Sequence, residues 1–288
     1  MKNVVVTGAS SGIGRATALL LDRCGYTVFA GVRRDEYADE LRKAGSDRIT
    51  PVQLDITVQE QVDAAAALVK DRVGDRGGLQ GLVNNAGTAV FGCTEFCPMP
   101  EMRRQIEVNF IGQVAVTQAF APLIRQGTGR FVFVSSANGH FALPYMGAYA
   151  ASKFAIEALA DAMRREFRPW RIPVVVVEPG TVEAKMWDTS PSVEDVLDRM
   201  SEQGRELHAD RMRLFDVLMQ KGRRCAARPE DIAAVIRKAL EARRPRTRYQ
   251  RGPGSLMAIA GSRLPDRLAD WFVEGLLTGR LSSRLMGW

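Results

Sequence analysis

The 288-residue sequence contains no apolar run that approaches the roughly 20 residues a helix needs to cross a bilayer. The first predicted strand begins at Asn3 and leaves no room for a signal peptide, so we expect a cytoplasmic location. Hydrophobic residues at 46% and charged residues at 25% are ordinary for a globular protein, which argues against disordered and collagen-like classes.

Cysteine is scarce, and its spacing does not indicate a metal site. Cys93 and Cys97 lie close together in the sequence, but no second pair accompanies them, and Cys24 and Cys225 are isolated. We therefore predict reduced cysteines that pack as small hydrophobic side chains, and no metal.

The net charge of +7 is unevenly distributed along the chain. Residues 221–288 contain fifteen Lys/Arg and six Asp/Glu, whereas the first 220 residues carry a small negative charge. No nucleic-acid motif accompanies the basic segment, so we predict no nucleic-acid partner. A membrane surface, an acidic partner or a solvated face fits this pattern better.

Short apolar segments alternate with longer amphipathic ones. The apolar segments show little alternation of sides, which is typical of parallel strands covered on both faces: Val4–Val6, Tyr26–Val32, Ile49–Leu54, Leu79–Val83, Arg130–Val134 and Pro173–Val177. Helical periodicity occupies Ile13–Arg23, Asp35–Ala44, Gln59–Val73, Glu101–Ile124 and Ala148–Phe167. The alternation predicts an α/β Rossmann fold of three layers with a doubly wound parallel sheet, whose ligands lie beyond the carboxyl ends of the strands.

The pattern changes after Gly180. Residues 183–222 are helical, charged and Met-rich, and we interpret them as an insertion over the site, the lid. A helix is predicted at Pro229–Arg243 and a last strand at Thr247–Gln250. Residues 1–252 then form one catalytic domain, and residues 253–288 form a basic amphipathic tail of the same domain.

A glycine-rich loop, Thr7-Gly-Ala-Ser-Ser-Gly-Ile-Gly14, follows a predicted strand and opens a helix. Gly8 permits a tight turn, Gly12 admits a pyrophosphate, and Gly14 lets the helix pack on the strand. The helix N-terminus offers unpaired N–H groups to the anion. The loop predicts a dinucleotide cofactor, although a turn that needs glycines for structure alone is the alternative.

The end of the second predicted strand distinguishes two cofactors. NAD enzymes usually place an acidic residue there to bind the ribose 2′-hydroxyl, but this chain has Gly-Val-Arg33-Arg34. Because an Arg suits a 2′-phosphate, we predict NADP(H), with NAD(H) as the alternative through Asp35. Asp55 ends the third strand, where its carboxylate binds an adenine amine or caps a helix.

Tyr149 and Lys153 lie four residues apart, and therefore on one face of a helix. A nearby ammonium favours phenolate, so we expect Lys153 to lower the pKa of Tyr149 from about 10. A Tyr tuned in this way exchanges a proton with an alcohol oxygen. Beside a phosphate-binding loop, the pair predicts hydride transfer to or from a nicotinamide.

The ordered motifs resemble those of the short-chain dehydrogenase/reductase superfamily over residues 3 to about 250. They are Thr7–Gly14, Asn84-Asn-Ala-Gly87, Asn109 in Val-Asn-Phe-Ile-Gly, Ser136 in Val-Ser-Ser-Ala-Asn-Gly, Tyr149-x-x-x-Lys153 and Pro179-Gly180. Segments such as Val-Phe-Ala-Gly-Val-Arg-Arg and Leu-Pro-Tyr-Met-Gly-Ala-Tyr are most similar to the retinol and hydroxysteroid dehydrogenase branch.

The resemblance implies a role for each motif. Tyr149 is the general acid/base, and Lys153 lowers its pKa and holds the nicotinamide ribose. Ser136, or less favourably Ser135, binds the substrate oxygen, and Asn109 holds a water that links Lys153 to solvent. The implied cofactor-binding residues are Gly8, Ser10, Ser11, Gly12, Ile13, Gly14, Arg33, Asp55, Ile56, Asn85, Ala86, Gly87, Tyr149, Lys153, Pro179, Gly180 and Val182.

One position departs from the family pattern. Ala184 stands where the family often has a Thr that holds the nicotinamide carboxamide. Thr181 or a backbone group is the substitute that remains.

Substrate contacts are predicted at Ser136, Tyr149, His140, Met186 and Trp187, with a plain surface position as the alternative for His140. Further apolar lid residues predict either a pocket or helix core: Met200, Leu207, Leu214, Phe215, Leu218 and Met219. The expected substrate is an alcohol or ketone of steroid-like or retinoid-like character.

Apolar residues recur at helical spacing in the tail, at Leu264, Leu268, Trp271, Phe272 and Leu276. They predict a helix docked on the body or another subunit, or an interfacial helix in peripheral contact with a membrane. The resemblance also suggests a homodimer or homotetramer through the helices that carry Asn109 and Tyr149.

The leading hypothesis is an NADP(H)-dependent alcohol dehydrogenase or ketone reductase. An inactive NAD(P)-sensing protein, and a lyase or epimerase on the same scaffold, are the alternatives. The presence of Tyr149, Lys153, Ser136 and Asn109 together argues against an inactive sensor.

Overall fold

The computed structural model describes residues 2–74, 77–183 and 191–278. Seven parallel strands of these residues form one sheet in the order β3-β2-β1-β4-β5-β6-β7. Their bounds are β1 Lys2–Val6, β2 Tyr26–Val32, β3 Ile49–Gln53, β4 Gly81–Asn84, β5 Phe131–Val134, β6 Val174–Pro179 and β7 Arg248–Arg251. The order reverses between β1 and β4, so the loops that follow these two strands diverge and open a crevice there.

Helices cover both faces of the sheet. They are α1 Gly12–Arg23, α2 Asp35–Ala44, α3 Gln59–Val73, α4 Met99–Ile106, α5 Gly112–Gln126, α6 Gly147–Glu166, α7 Val193–Asp198, α8 Glu202–Arg223, α9 Pro229–Glu241, α10 Ser255–Gly261 and α11 Asp266–Leu277. The architecture confirms the predicted doubly wound, three-layer α/β fold.

Alternate strand residues enter two separate hydrophobic cores. Val5 faces one core together with Val116 of α5 and Ile156 of α6. Val4 faces the opposite core, where Ile232 of α9 packs. Because successive side chains of a strand point to opposite faces, a fully apolar strand fills both cores at once.

The predicted helix Glu101–Ile124 is interrupted in the structure. A π-helical turn at Glu107–Ile111 separates α4 from α5. Gly112 follows the turn, and a Cβ at this position would lie 2.7 Å from the Ile56 carbonyl oxygen. The continuous apolar periodicity hides the extra residue of a π turn, so the prediction of one regular helix is wrong here.

The lid contains α7 and α8, and the tail contains α10 and α11. Ser192 caps α7 in a reciprocal capping box with Asp195. Lid and tail contact each other, since Arg211 of α8 forms an ion pair with Glu274 of α11. Within the described residues, no helix combines the length and apolar character that a membrane span requires.

Candidate active site

A cleft of about 1470 Å³ lies at the carboxyl edge of the sheet, where the strand order reverses. Single-ligand pockets usually measure about 300–1,000 Å³, so this cleft has room for a dinucleotide and a second molecule. Sixteen of the predicted cofactor residues line it, but Gly14 does not. A Cβ on Gly14 would lie 2.2 Å from the Gly8 carbonyl oxygen, so this glycine serves helix packing against the loop.

The glycine loop is shaped to receive an anion. Gly8 has a φ of +64° and Gly12 a φ of +51°, a backbone region that other residues rarely adopt. Ser11 precedes α1 without a side-chain cap, and no acidic residue lies in the first turn. The N–H groups of this turn therefore face the cleft without a competing carboxylate, and a pyrophosphate fits them.

Thr7 and Asn85 join the glycine loop to the loop after β4. The Thr7 hydroxyl accepts hydrogen bonds from the backbone N–H of Asn85 at 2.9 Å and of Ala86 at 3.0 Å. The Asn85 amide donates to the carbonyls of Thr7 at 2.9 Å and Gly8 at 3.2 Å. Sequence reasoning assigned Thr7 no separate role, because this role depends on a strand 78 residues away.

The outer end of the cofactor region is basic. Arg33, Arg34 and Tyr37 line the cleft, whereas Asp35 begins α2 and is absent from the lining. Among the described residues, neither arginine forms an ion pair with a carboxylate. The Asp55 carboxylate accepts hydrogen bonds from the Thr57 backbone at 3.0 Å and from the Thr57 hydroxyl at 2.7 Å.

Ser136, Tyr149 and Lys153 come together deep in the cleft. The Ser136 hydroxyl lies close enough to the Tyr149 phenol to act on its pKa, and it accepts a hydrogen bond from the Asn138 N–H at 3.2 Å. Lys153 lies with its Nζ 5.7 Å from the centre of the Tyr149 ring and donates a hydrogen bond to the Val134 carbonyl at 2.9 Å. Two hydroxyls and one ammonium therefore face the same small volume.

Burial controls the acidity of this pair. It raises the pKa of Tyr149, and the Ser136 hydroxyl offsets only part of that effect. Burial also lowers the pKa of Lys153 to about 8, although Glu157 acts in the opposite direction. The expected lowering of the Tyr149 pKa by Lys153 is wrong for this arrangement, because desolvation of the phenolate dominates.

Asn109 lies in the π turn and is fully buried, outside the cleft lining. Its amide donates to the Thr88 carbonyl at 2.9 Å and to the Ser152 hydroxyl at 3.0 Å, and its oxygen accepts from the Thr88 N–H at 2.8 Å. Ser152 in turn donates to the Tyr149 carbonyl at 2.7 Å. Asn109 thus fixes α6 at the turn that carries Tyr149.

His140 does not reach the cleft, so its prediction as a substrate contact is wrong. Its Nε2 lies 3.0 Å from a carboxylate oxygen of Glu178, which is completely buried. Arg248 contacts the same oxygen at 3.2 Å and Glu157 at 3.0 Å. Burial favours this pairing because each ionised carboxylate needs a cationic partner when water is excluded.

Ser135, the alternative to Ser136, lies on the side of this charged network. Burial raises the pKa of the Glu157 carboxyl, and the Ser135 hydroxyl acts in the opposite direction, although Ser135 also lines the cleft. Ser136 is the serine that reaches the phenol of Tyr149.

Lid and tail supply an apolar wall beside the catalytic cluster, where Phe215 and Leu277 pack in one hydrophobic cluster with Tyr149. Phe215, Leu218 and Met219 of α8 line the cleft as predicted, whereas Leu207 and Leu214 are exposed and Met200 packs inside the lid. Met186, Trp187 and Ala184 lie outside the described residues. The tail also lines the cleft, with Leu264, Phe272 and Leu276 of the predicted docking face and with Met257, Val273 and Leu277, which were not predicted.

The comparisons with known proteins match this geometry. The model of the short chain dehydrogenase family matches residues 2–195. Mouse retinol dehydrogenase 7 is 36% identical over 276 residues, which cover 93% of this chain and 86% of the relative. The chain belongs to the short-chain dehydrogenase family.

Two further relatives extend the match over this short-chain dehydrogenase. Human 17-beta-hydroxysteroid dehydrogenase type 6 is 36% identical over 280 residues, 94% of this chain and 87% of the relative. A short-chain dehydrogenase from Streptomyces avermitilis superposes with a TM-score of 0.77 at 29% identity and covers 97% of both chains. The protein is therefore an NAD(P)-dependent oxidoreductase of alcohol or carbonyl groups, in the retinol and hydroxysteroid dehydrogenase branch.

Proposed function

We propose that this protein is an NADP(H)-preferring dehydrogenase or ketone reductase of lipophilic, steroid-like or retinoid-like substrates. Tyr149 is its general acid/base, Ser136 binds the substrate oxygen, and Lys153 and Asn109 complete the site. The observation that carries the proposal is the meeting of the Ser136 and Tyr149 hydroxyls beneath an apolar wall and beside the glycine loop.

The arrangement supports proton transfer at one oxygen atom. A bound nicotinamide supplies or accepts the hydride. In carbonyl reduction, Ser136 donates a hydrogen bond to the substrate oxygen and Tyr149 transfers its proton to the alkoxide that develops there. The raised pKa of Tyr149 keeps the phenol protonated for this step at neutral pH.

Lys153 and Asn109 hold this machinery in place. In the proposed site, the ammonium of Lys153 would hold the ribose hydroxyls of the cofactor beside Tyr149. Its pKa of about 8 lies close to working pH, so the charge responds to groups around it. Asn109 fixes the π turn against α6 through its hydrogen bond to the Ser152 hydroxyl.

Arg33 carries the cofactor preference. A guanidinium without a carboxylate partner in the described chain is suited to a 2′-phosphate, with which it forms charge-assisted hydrogen bonds. Asp35, the acidic residue that would favour NAD(H), is not part of the cleft lining, which supports the preference for NADP(H). Thr181 lines the cleft and is the candidate for the nicotinamide carboxamide.

The substrate class rests on the apolar wall and on the relatives. Aromatic and aliphatic side chains of α8 and α11 line the same cleft as the catalytic hydroxyls, and some of them pack against Tyr149. The mouse and human relatives are named for retinol and hydroxysteroid substrates, both of them lipophilic alcohols. A polar sugar nucleotide, which an epimerase would bind, finds few partners on this wall.

Cofactor absorbance under steroid, retinoid and aliphatic ketone panels tests the proposal. We expect turnover with NADPH, and Tyr149→Phe is expected to reduce kcat by about 10²-fold or more. Arg33→Ala should raise the KM for NADPH about tenfold and leave that for NADH unchanged. Arg42→Ala is the matched control, since this arginine is exposed on α2 and pairs with Asp39. Equal KM values for NADPH and NADH in the wild type would contradict the preference.

Exposed apolar residues support peripheral membrane contact of a cytoplasmic protein. Leu256, Leu268 and Trp271 are 72%, 54% and 64% exposed on the basic tail. Trp271→Ala should weaken sedimentation with anionic liposomes several-fold. Trp170→Ala removes a similarly exposed Trp outside the tail and should have no effect. Undiminished sedimentation of the Trp271→Ala variant would remove the tail from this role.

A second exposed patch supports a homodimer or homotetramer. Ile111 in the π turn and Phe154 on α6 are each 44% exposed, on the helices expected at the subunit interface. Phe154→Asp should convert the oligomer to monomers in light scattering. A monomeric wild type would refute this part of the proposal.

A further inference from the structure

Three potential metal ligands from distant parts of the chain meet beside the cleft. The Cys93 Sγ lies 3.5 Å from the His208 Nε2, and the same nitrogen lies 3.7 Å from a carboxylate oxygen of Glu95. All three ligand atoms lie within 4.8 Å of one another. Cys93 and His208 are partly buried and Glu95 is exposed, so a metal ion can enter from solvent.

Two of the three distances between ligand atoms are close to the edges of a tetrahedral zinc site, and the third, from the Cys93 Sγ to the Glu95 carboxylate, is no more than 4.8 Å. With Zn–S of about 2.3 Å and Zn–N and Zn–O of about 2.0 Å, the S–N edge is about 3.5 Å and the N–O edge about 3.3 Å. The first edge is already present, and the second requires a shift of a few tenths of an ångström by an exposed carboxylate. Three protein ligands leave a fourth position to water.

The surroundings hold the histidine in place. The His208 ring contacts Phe96 edge-on at 5.8 Å and Tyr145 at 6.4 Å between ring centres. These contacts restrict the rotation of the imidazole, so a metal would meet a pre-oriented ligand.

A second cluster of potential metal ligands differs from this one because a basic side chain already contacts its carboxylates. His140, Glu157 and Glu178 also bring three ligand atoms together. There Arg248 already contacts both carboxylates at 3.0 and 3.2 Å and fills the place of a cation. At Cys93, Glu95 and His208, no arginine or lysine of the described chain forms an ion pair with the carboxylate.

We propose that Cys93, Glu95 and His208 form a binding site for Zn²⁺ or a similar borderline-soft divalent cation, and that the ion ties the lid to the body. Cys93 and Glu95 belong to the segment after β4, whose residues 88–91 line the cleft, and His208 belongs to α8 of the lid. Binding replaces the thiol proton of Cys93 with the metal and releases it to the buffer.

Metal binding therefore couples to the position of the lid. Phe215 and Leu218 of α8 form part of the apolar wall, on the same helix as the ligand His208. An ion that fixes this helix to the body should slow the entry and exit of ligands. Sequence spacing does not reveal the site, since 115 residues separate Cys93 from His208.

Cobalt substitution of the full-length protein tests the site directly. We expect one equivalent of Co²⁺ to give the thiolate-to-metal charge-transfer band in the near ultraviolet, and Zn²⁺ to displace it. Cys93→Ser should abolish the band, and Glu95→Gln should weaken binding about tenfold or more. Because the Glu95 side chain is 66% exposed, its variant is expected to fold normally.

Cys97→Ser and Cys225→Ser are the matched controls and should keep the band. Retention of the band in Cys93→Ser, or its absence in the wild type, would overturn the site.

Limited trypsin digestion tests whether the metal ion holds the lid against the body. Zn²⁺ should slow cleavage within α8 several-fold in the wild type and have no effect in His208→Gln. Unchanged cleavage despite metal binding would refute the coupling to the lid. These readouts do not depend on turnover, so they stand apart from the proposed function.

Discussion

Replacement of Glu157 by glutamine should expose how strongly the buried network controls Lys153. Glu157 lies one helical turn after Lys153 on α6 and raises the pKa of its ammonium against the effect of burial. Four other groups also act on the Glu157 carboxylate: Arg248, Glu178, His140 and Ser135. The substitution Glu157→Gln keeps the shape of the side chain and removes the charge.

The structure sets the size of the effect. A Lys153 pKa of about 8 means that the ammonium is about 90% protonated at pH 7 and about half protonated at pH 8. The loss of about 1.4 kcal/mol of favourable interaction between the two charges would lower the pKa of Lys153 by about one unit. A fall of that size would leave about half of Lys153 protonated at pH 7 and about a tenth at pH 8.

The alkaline limb of kcat/KM for carbonyl reduction should therefore move toward acid by about one pH unit, with a loss of about fivefold at pH 8. Profiles with NADPH and the best substrate of the panel measure this. Asp161→Asn is the control, since Asp161 binds Arg248 at 3.1 Å but does not act on the pKa of Lys153. An unmoved limb in Glu157→Gln, or an equal shift in the control, would refute the reasoning.

Three further outcomes follow from burial and packing. Burial lowers the pKa of Lys153 from 10.5 to about 8, so the unfolded chain binds more protons between these two pH values and the stability of the wild type rises with pH there. Replacing this buried cation in Lys153→Met should abolish turnover. It should also raise the melting temperature and increase the free energy of unfolding by up to about 3 kcal/mol at pH 7. Gly14→Ala places a methyl group 2.2 Å from the Gly8 carbonyl oxygen and should lower the free energy of unfolding by about 1–3 kcal/mol in denaturant titration. An unaltered free energy of unfolding would contradict the packing role. Arg248→Met removes the guanidinium that contacts the buried Glu178 carboxylate and should lower the free energy of unfolding by about 3 kcal/mol at pH 7. This loss should become smaller at acid pH, where the carboxylates are protonated.

The sheet was predictable because its strands are apolar on both faces. Val4–Val6 and Tyr26–Val32 contain almost no polar residue. This pattern is typical of a parallel strand that is covered on both faces. The order of the strands is set by packing between helices far apart in the chain. No local pattern encodes it.

The catalytic cluster was predictable for a different reason. Tyr149 and Lys153 share a helix face, so their separation of four residues is itself geometry. His140 was misassigned because its partner, Glu178, lies 38 residues away on β6, and proximity to Ser136 in sequence says nothing about the direction of its ring. The pKa of Tyr149 was misjudged because burial is a property of the packed chain.

The contribution of the tail was only half visible. Phe272 and Leu276 have the same helical spacing as Leu268 and Trp271, but the first two line the cleft and the last two face outward. A stripe of hydrophobic residues in the sequence predicts that one face of the helix is buried, but it does not identify the surface that covers it. What covers that face depends on where α8 has already packed.

The division of the cleft along the chain bears on how such an enzyme evolves. The wall around the glycine loop and the catalytic hydroxyls comes from residues 8–182, and the facing wall of α8, α10 and α11 comes from residues 215–277. Mutation or recombination in the last quarter of the gene can therefore change which substrate binds without changing the catalytic residues. The catalytic residues and the lid and tail residues of the cleft therefore lie in separate stretches of the sequence.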